Sequence, residues 1–191
     1  MKEFLVFFLT LFVIFISIKE IYNKDEIRQV KSNKDGITYI VRDLPDYQKA
    51  VELLSTINSN ILTLIKSLDN KDNDDIDRLK NNYNANNLSE TGKNAKYTSY
   101  SVNKGEKISI CLRNKHNNQF EDLNTIMFVT IHELAHVMTE SVGHEPEFWN
   151  NMSYLLHEAE KLGIYTHKEY SKVPVNYCGM EINSTPYDLK K

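Results

Sequence analysis

His132-Glu133-Leu134-Ala135-His136 lies inside a run without Gly or Pro, from Asn124-Thr125-Ile126-Met127-Phe128-Val129-Thr130-Ile131 through to Val137-Met138. Apolar residues dominate that run, so it predicts a helix over about 122–140 that is buried on most sides. On a helix, residues four apart share a face, and His132 and His136 can aim two imidazoles at one ion. Glu133 then lies beside that ion, placed to take a proton from a water the ion holds. His144 follows the break at Gly143 and is the natural third ligand. Three nitrogens and one open position are the composition of a catalytic zinc site, whereas a structural site closes its sphere with a fourth side chain. The bland alternative is a buried helix whose histidines only hydrogen-bond the core, but three convergent imidazoles need a partner and a metal is the simplest one.

The other candidate ligands fare worse. Glu158 and Glu160 do not fall about twenty residues after His136, where thermolysin-like enzymes carry a glutamate; Leu155 and Leu156 stand there instead. His157 and His167 read as surface or supporting residues, and His116 lies in a polar loop. Asp72, Asp74 and Asp75 lack the Gly and terminal Glu of a calcium-binding EF-hand loop.

Around the motif, the pattern predicts one modest domain. Gly36-Ile37-Thr38-Tyr39-Ile40-Val41 reads as a strand, ended by Asp43-Leu44-Pro45. From Asp46 to Leu68 the apolar positions recur at three and four, an amphipathic helix, and a shorter helix follows near 76–83. Tyr97–Val102 and Lys107–Leu112 flank Asn103-Lys104-Gly105-Glu106 and predict a hairpin. An edge of that hairpin facing the cleft could hold an extended peptide by strand addition. Beyond His144, Pro146 suits the first turn of a helix that carries Phe148, Trp149, Met152, Leu155, Leu156 and Ala159.

Charge argues against a nucleic-acid partner: the net charge is −3, and the lysine pairs near 31–34 and 93–96 are interleaved with acids. Asn81-Asn82-Tyr83-Asn84-Ala85-Asn86-Asn87 reads as a loop. Cys111, in an alternating run, is expected to be a small core residue, and Cys178 to occupy a separate C-terminal turn. A single bridge between the two is arithmetically possible, but a disulfide framework is not. Phe4 to Ile18 is a charge-free apolar run of fifteen residues. It predicts a single-pass membrane helix over 1–23 in preference to a signal peptide, because no small-residue cleavage site follows. A linker over 24–36 and a catalytic domain over 37–191 complete this division. The lysines and arginine after the run lean the domain toward the cytoplasmic face.

His132-Glu133-Leu134-Ala135-His136 together with Gly143-His144-Glu145-Pro146-Glu147-Phe148-Trp149 resembles the WLM-type metallopeptidases and the related SprT-like proteases, over about 97–165 and the 173–182 tail. The resemblance implies an α+β zincin fold with a small antiparallel sheet. It also implies Zn2+ on His132, His136 and His144, and Glu133 as general base in peptide-bond hydrolysis. The seven residues between His136 and His144 are more than WLM proteins usually have. Family members act on proteins crosslinked to DNA; without a basic tract, the chemistry is carried over and the substrate is not. The expected partner is therefore a protein or peptide. Apart from the resemblance, Tyr177, in Val173-Pro174-Val175-Asn176-Tyr177-Cys178-Gly179-Met180, is a candidate oxyanion donor, since a phenol can donate there, and a simply packed tyrosine is the reading preferred to it. Two other classes stand beside this one: a catalytically silent zinc module, and a membrane-anchored structural protein.

Overall fold

The computed structural model describes residues 27–69 and 73–187, together with Phe4, 8–10 and 12–15. Strands β1 (Ile27–Lys31) and β2 (Thr38–Arg42) pair antiparallel, with Ile27 opposite Arg42. Helices α1 (Tyr47–Ser67) and α2 (Asp74–Asn82) then carry the chain back to β3 (Leu88–Glu90). Strand β3 lies parallel to β2, because a strand returning after a helical crossover enters the sheet in the same direction. Strands β4 (Tyr100–Val102) and β5 (Lys107–Ile110) form the expected hairpin, and β5 pairs parallel with β3. The sheet order is β1-β2-β3-β5-β4, which leaves β4 at an edge. Helices α3 (Leu123–Met138) and α4 (Pro146–Lys161) follow, and a second two-stranded sheet joins β6 (Val175–Tyr177) to β7 (Met180–Ile182).

Each helix has a local cause. The buried face of α1 is made by Ala50, Leu54, Ile57, Ile61 and Leu64, spaced by three or four residues. The Asn73 side chain accepts from the backbone N–H of Asp75 and Ile76 and so starts α2. Asp122 does the same for α3 by accepting from Thr125 N–H, and Pro146 opens α4. Helix α1 packs on β2 and β3, and α3 packs on β4 and β5 while also meeting α2 and α4. Helix α3 is thus enclosed by neighbours, as its predominantly apolar sequence requires.

Four sequence expectations need correction. The main sheet is mixed, not antiparallel, because β3 is a three-residue strand without enough length to show alternation. Residues 27–31, inside the stretch read as a linker, form β1; the strand takes its order from pairing with β2 and from Arg28, which bonds Asp43 at 2.7 Å and lies over the Tyr47 ring. Cys111 and Cys178 are not separate: they form a disulfide with a Cα–Cα distance of 6.5 Å. The tight β6–β7 turn, with positive φ at both Cys178 and Gly179, brings the second sulfur to the sheet.

The expected membrane anchor is the fourth correction. Among the described residues, no helix is long and apolar enough to cross a membrane, so the membrane localisation and its lean to the cytoplasmic face fall with it. Of residues 1–23, Phe4, 8–10 and 12–15 are described as helical and exposed, and the remainder of the expected anchor lies outside the described residues. Physically, a fifteen-residue apolar run falls below the roughly 17–25 residues of a spanning helix.

Candidate metal centre

Helix α3 presents His132 and His136 one turn apart, and the loop after it brings His144 to the same point. The Nε2 atom of His144 lies 3.2 Å from Nε2 of His132 and 3.2 Å from Nε2 of His136. Two nitrogens each about 2.05 Å from an ion at the tetrahedral angle would be about 3.3 Å apart. One imidazole N–H cannot satisfy two other ring nitrogens at once, whereas a single cation satisfies all three. The donor set therefore fits a metal ion, and the three side chains could hold one. Burial, aided by the neighbouring imidazoles, lowers His132 to about 3. Burial likewise brings His136 to about 4, with His144 and Lys104 adding to the effect. Both rings are accordingly neutral at physiological pH, the state in which imidazole offers a lone pair.

Aromatic rings from the first turn of α4 hold this trio. Phe148 is fully buried and packs against His132, His136 and His144 at centroid distances of 4.9, 4.4 and 4.6 Å. Trp149 covers His144 at 5.2 Å. Neither ring competes for the ion, and together they limit the rotation of the imidazoles.

The long connection between His136 and His144 is tied down by side chains that sequence inspection did not single out. Lys104 Nζ donates to the carbonyls of Thr139 and Ser141 at 2.6 and 2.7 Å. Arg78 donates to the Met138 carbonyl at 2.6 Å. The Glu147 carboxylate accepts from the backbone N–H groups of Glu140 and Ser141 at 2.9 and 3.3 Å. The glutamate satisfies two backbone N–H groups of the connection, and the lysine and arginine bonds satisfy carbonyls at and just beyond the end of α3. The left-handed conformation of Lys104 aims its side chain at them, but nothing in the local sequence marks its long-range partners.

Glu133 is 4 % exposed and lies beside Ser101 of β4, whose hydroxyl and backbone N–H favour its ionised form. Burial outweighs that influence and raises its carboxyl to about 7. The cleft in front of the three histidines has a volume of about 620 Å³ and is bordered by Tyr100 and Ser101 of β4, by Lys104, and by Val142 and Gly143. Tyr177, the candidate oxyanion donor, is a packed residue and does not border this cleft. It is fully buried, donates its hydroxyl to the Cys111 carbonyl at 2.6 Å and lies 3.1 Å from Ser99 Oγ. So placed, it links the second sheet to β5 beside the disulfide. His157 and His167 stand away from the trio and both stack on the Tyr187 ring, at 4.0 and 3.9 Å.

The chain is similar to several known proteins. An uncharacterized protein of Acanthamoeba polyphaga mimivirus is 34 % identical over 166 residues, which is 84 % of each chain. Another, from Invertebrate iridescent virus 6, is 35 % identical over 82 residues, 42 % of this chain and 44 % of its own. The crystal structure of Wss1 from Saccharomyces cerevisiae shares the fold, with a TM-score of 0.52 and 24 % identity over 64 % of this chain and 87 % of that one. The WLM domain model matches residues 33–185, well beyond the 97–165 stretch that carries the sequence resemblance. The chain belongs to the WLM domain family.

Proposed function

We propose that this protein is a zinc-dependent metallopeptidase that hydrolyses peptide bonds in a protein or peptide substrate. The observation that carries the reading is the convergence of three imidazoles, with Nε2 of His144 3.2 Å from Nε2 of both His132 and His136, beside a buried carboxylate. His132, His136 and His144 would hold the ion. Zinc bound there supplies Lewis acidity, making water a better nucleophile at neutral pH and polarising the scissile carbonyl. Glu133 takes the proton released by water on its carboxylate and delivers it to the leaving amine. Its burial favours the protonated form, and a neighbouring cation draws it back toward the carboxylate, so both halves of that transfer are accessible. Ser101, beside the carboxylate, favours its ionised form. The edge strand β4 lies along the cleft, where an extended substrate can pair with its open side.

The test is metal content and peptide cleavage by the full chain, by His144→Ala and by Glu133→Gln. About one zinc per chain, lost in the histidine variant, is expected. Glu133→Gln should keep the metal and lose roughly 10²- to 10⁴-fold in cleavage rate, the contribution of a positioned general base. A folded chain that takes up no metal would rule out the reading, and undiminished cleavage by Glu133→Gln would remove that residue from its role.

A further inference from the structure

A cavity of about 690 Å³ opens beside the outer cleft, with His132 and Glu133 among its lining residues. Helices α3 and α4 contribute Phe128, Val129, Trp149 and Met152 to its wall. The rest of the wall comes from two segments remote in sequence, 96–99 and 180–186. The Cys111–Cys178 disulfide ties one of these segments to the other. Cys111 N–H donates to Ser99 Oγ at 3.0 Å. Tyr177, next to Cys178, donates its hydroxyl to the Cys111 carbonyl at 2.6 Å and lies 3.1 Å from Ser99 Oγ. Met180, where the second segment begins, follows Cys178 by two residues. The bridge is therefore the covalent seam of the cavity wall.

The hairpin that carries Cys178 is lightly built. Strands β6 and β7 have three residues each, and a two-stranded hairpin is at best marginally stable in water by itself. Asn176, Gly179, Met180 and Glu181 are exposed, so the hairpin is seated on Tyr177, Cys178 and Ile182. Cys178 has a φ of 52° at a turn position that suits Asn or Gly and strains other side chains. The site also accommodates the reduced pair. The Arg113 carbonyl oxygen lies 3.2 Å from Sγ of Cys111 and 3.3 Å from Sγ of Cys178, an acceptor for either thiol once it forms.

We infer that the Cys111–Cys178 bridge is a redox-sensitive clamp on this cavity: its reduction frees the β6–β7 hairpin and the wall that follows, while α3 and its histidines stay in place. A thiol reductant attacks one sulfur and forms a mixed disulfide, and the other sulfur leaves as a thiolate that takes up a proton. A second thiol then displaces the first cysteine. Two electrons pass to the pair, both cysteines end as thiols, and the two reductant molecules end joined as a disulfide. The histidines are insulated from this change. They are held by Phe148 and Glu147 from the first turn of α4, by Arg78 from α2 and by Lys104 from the far end of the β4–β5 hairpin. The effect on cleavage rests on the peptidase reading; the effect on the cavity does not.

Zinc-loaded full-length protein is equilibrated in mixtures of reduced and oxidised glutathione, and the state of both cysteines is read by alkylation. Amide hydrogen exchange, Trp149 emission, zinc content and cleavage of a peptide library are then measured across the series. Trp149 is the only tryptophan of the chain and lines the cavity, so its emission reports on the wall whether or not cleavage occurs. Reduction should accelerate exchange over 175–187 at least tenfold and shift the emission to longer wavelength. Exchange in α3 and zinc content should stay within twofold of the oxidised protein. Cleavage should fall at least fivefold, and reoxidation should restore it. Cys178→Asn removes the bridge with a residue that suits the turn; it should exchange rapidly over 175–187 in every mixture. A bridge that resists the most reducing mixture would overturn the clamp, as would unchanged protection of 175–187 in the reduced protein. Acceleration of every amide together would also overturn it, showing a bridge that serves global stability alone. Equal cleavage by both redox forms would overturn the clamp while leaving the peptidase reading intact. Local acceleration over 175–187 with no cleavage by either form would keep the clamp and remove the peptidase.

Discussion

Lys104 holds Thr139: its ammonium donates to the Thr139 carbonyl at 2.6 Å, fastening the turn between β4 and β5 to the end of the helix that bears two of the three convergent histidines. The same ammonium reaches Ser141, three residues before His144. The position of His144 thus depends on a residue 40 places earlier in the chain. Lys104→Met keeps the length of the side chain and removes its donors. The expected outcome is a loss of about 10- to 100-fold in metal affinity, the usual effect of removing a group that orients a ligand, with little change in secondary structure. Competition against a chromophoric chelator measures it, and an unchanged affinity would show that Arg78 and Glu147 suffice.

Arg113 is fully buried and pairs with Glu90 at 2.9 Å, with Asp46 as a second partner and the Phe120 ring beneath its guanidinium at 4.2 Å. Burial raises the Glu90 carboxyl, opposed by the Arg42 backbone N–H and by Arg113. Arg113→Met would leave that carboxylate enclosed without its cation, and should cost about 3–5 kcal/mol in unfolding free energy. Adding Glu90→Gln should recover part of the loss, as read from urea midpoints in a double-mutant cycle. Equal stability of the single variant and the parent would show that the pair contributes nothing net.

The Cys111–Cys178 bridge closes 67 residues of chain around α3 and α4. In the chain-entropy account, removing a bridge of this span costs about 4 kcal/mol. The Cys111→Ser/Cys178→Ser protein should unfold at a correspondingly lower denaturant concentration, and thiol reduction of the parent should shift its midpoint to the same value. A reductant-insensitive midpoint would contradict this.

Asp35 supplies a pH-dependent increment. Burial by itself would raise its carboxyl, but the Tyr39 hydroxyl at 2.7 Å and the Ile37 N–H at 3.1 Å outweigh it, and the group is held at about 2. A carboxylate depressed in the folded state stabilises the fold above its ordinary value of 3.8, and that stabilisation disappears as pH falls through about 2. Tyr39→Phe removes the principal donor. The stability difference between parent and variant should therefore be constant above pH 4 and shrink between pH 4 and pH 2 in a urea series. A difference that does not change over that interval would place the effect of Tyr39 in packing alone.

The sequence by itself determined the helices and the convergence of the three histidines. The period of the apolar positions from Asp46 to Leu68 matches α1, and the continuous apolar run around His132 matches the enclosed α3, because helix formation follows local spacing that any burial must respect. The convergence of His132, His136 and His144 was likewise legible, since one helical turn and one glycine break suffice to bring them near. Only the tertiary structure decided the rest. The sheet became mixed through β3, three residues whose strand character comes from their neighbours and not from their own pattern. Cys178 met Cys111, Tyr177 turned its hydroxyl to a backbone carbonyl, and Lys104 found the carbonyls of the histidine loop through contacts 35 to 67 residues apart in the chain. Such contacts leave no periodic trace in the sequence, because each depends on how separate elements pack and on polar groups that must find partners once water is excluded.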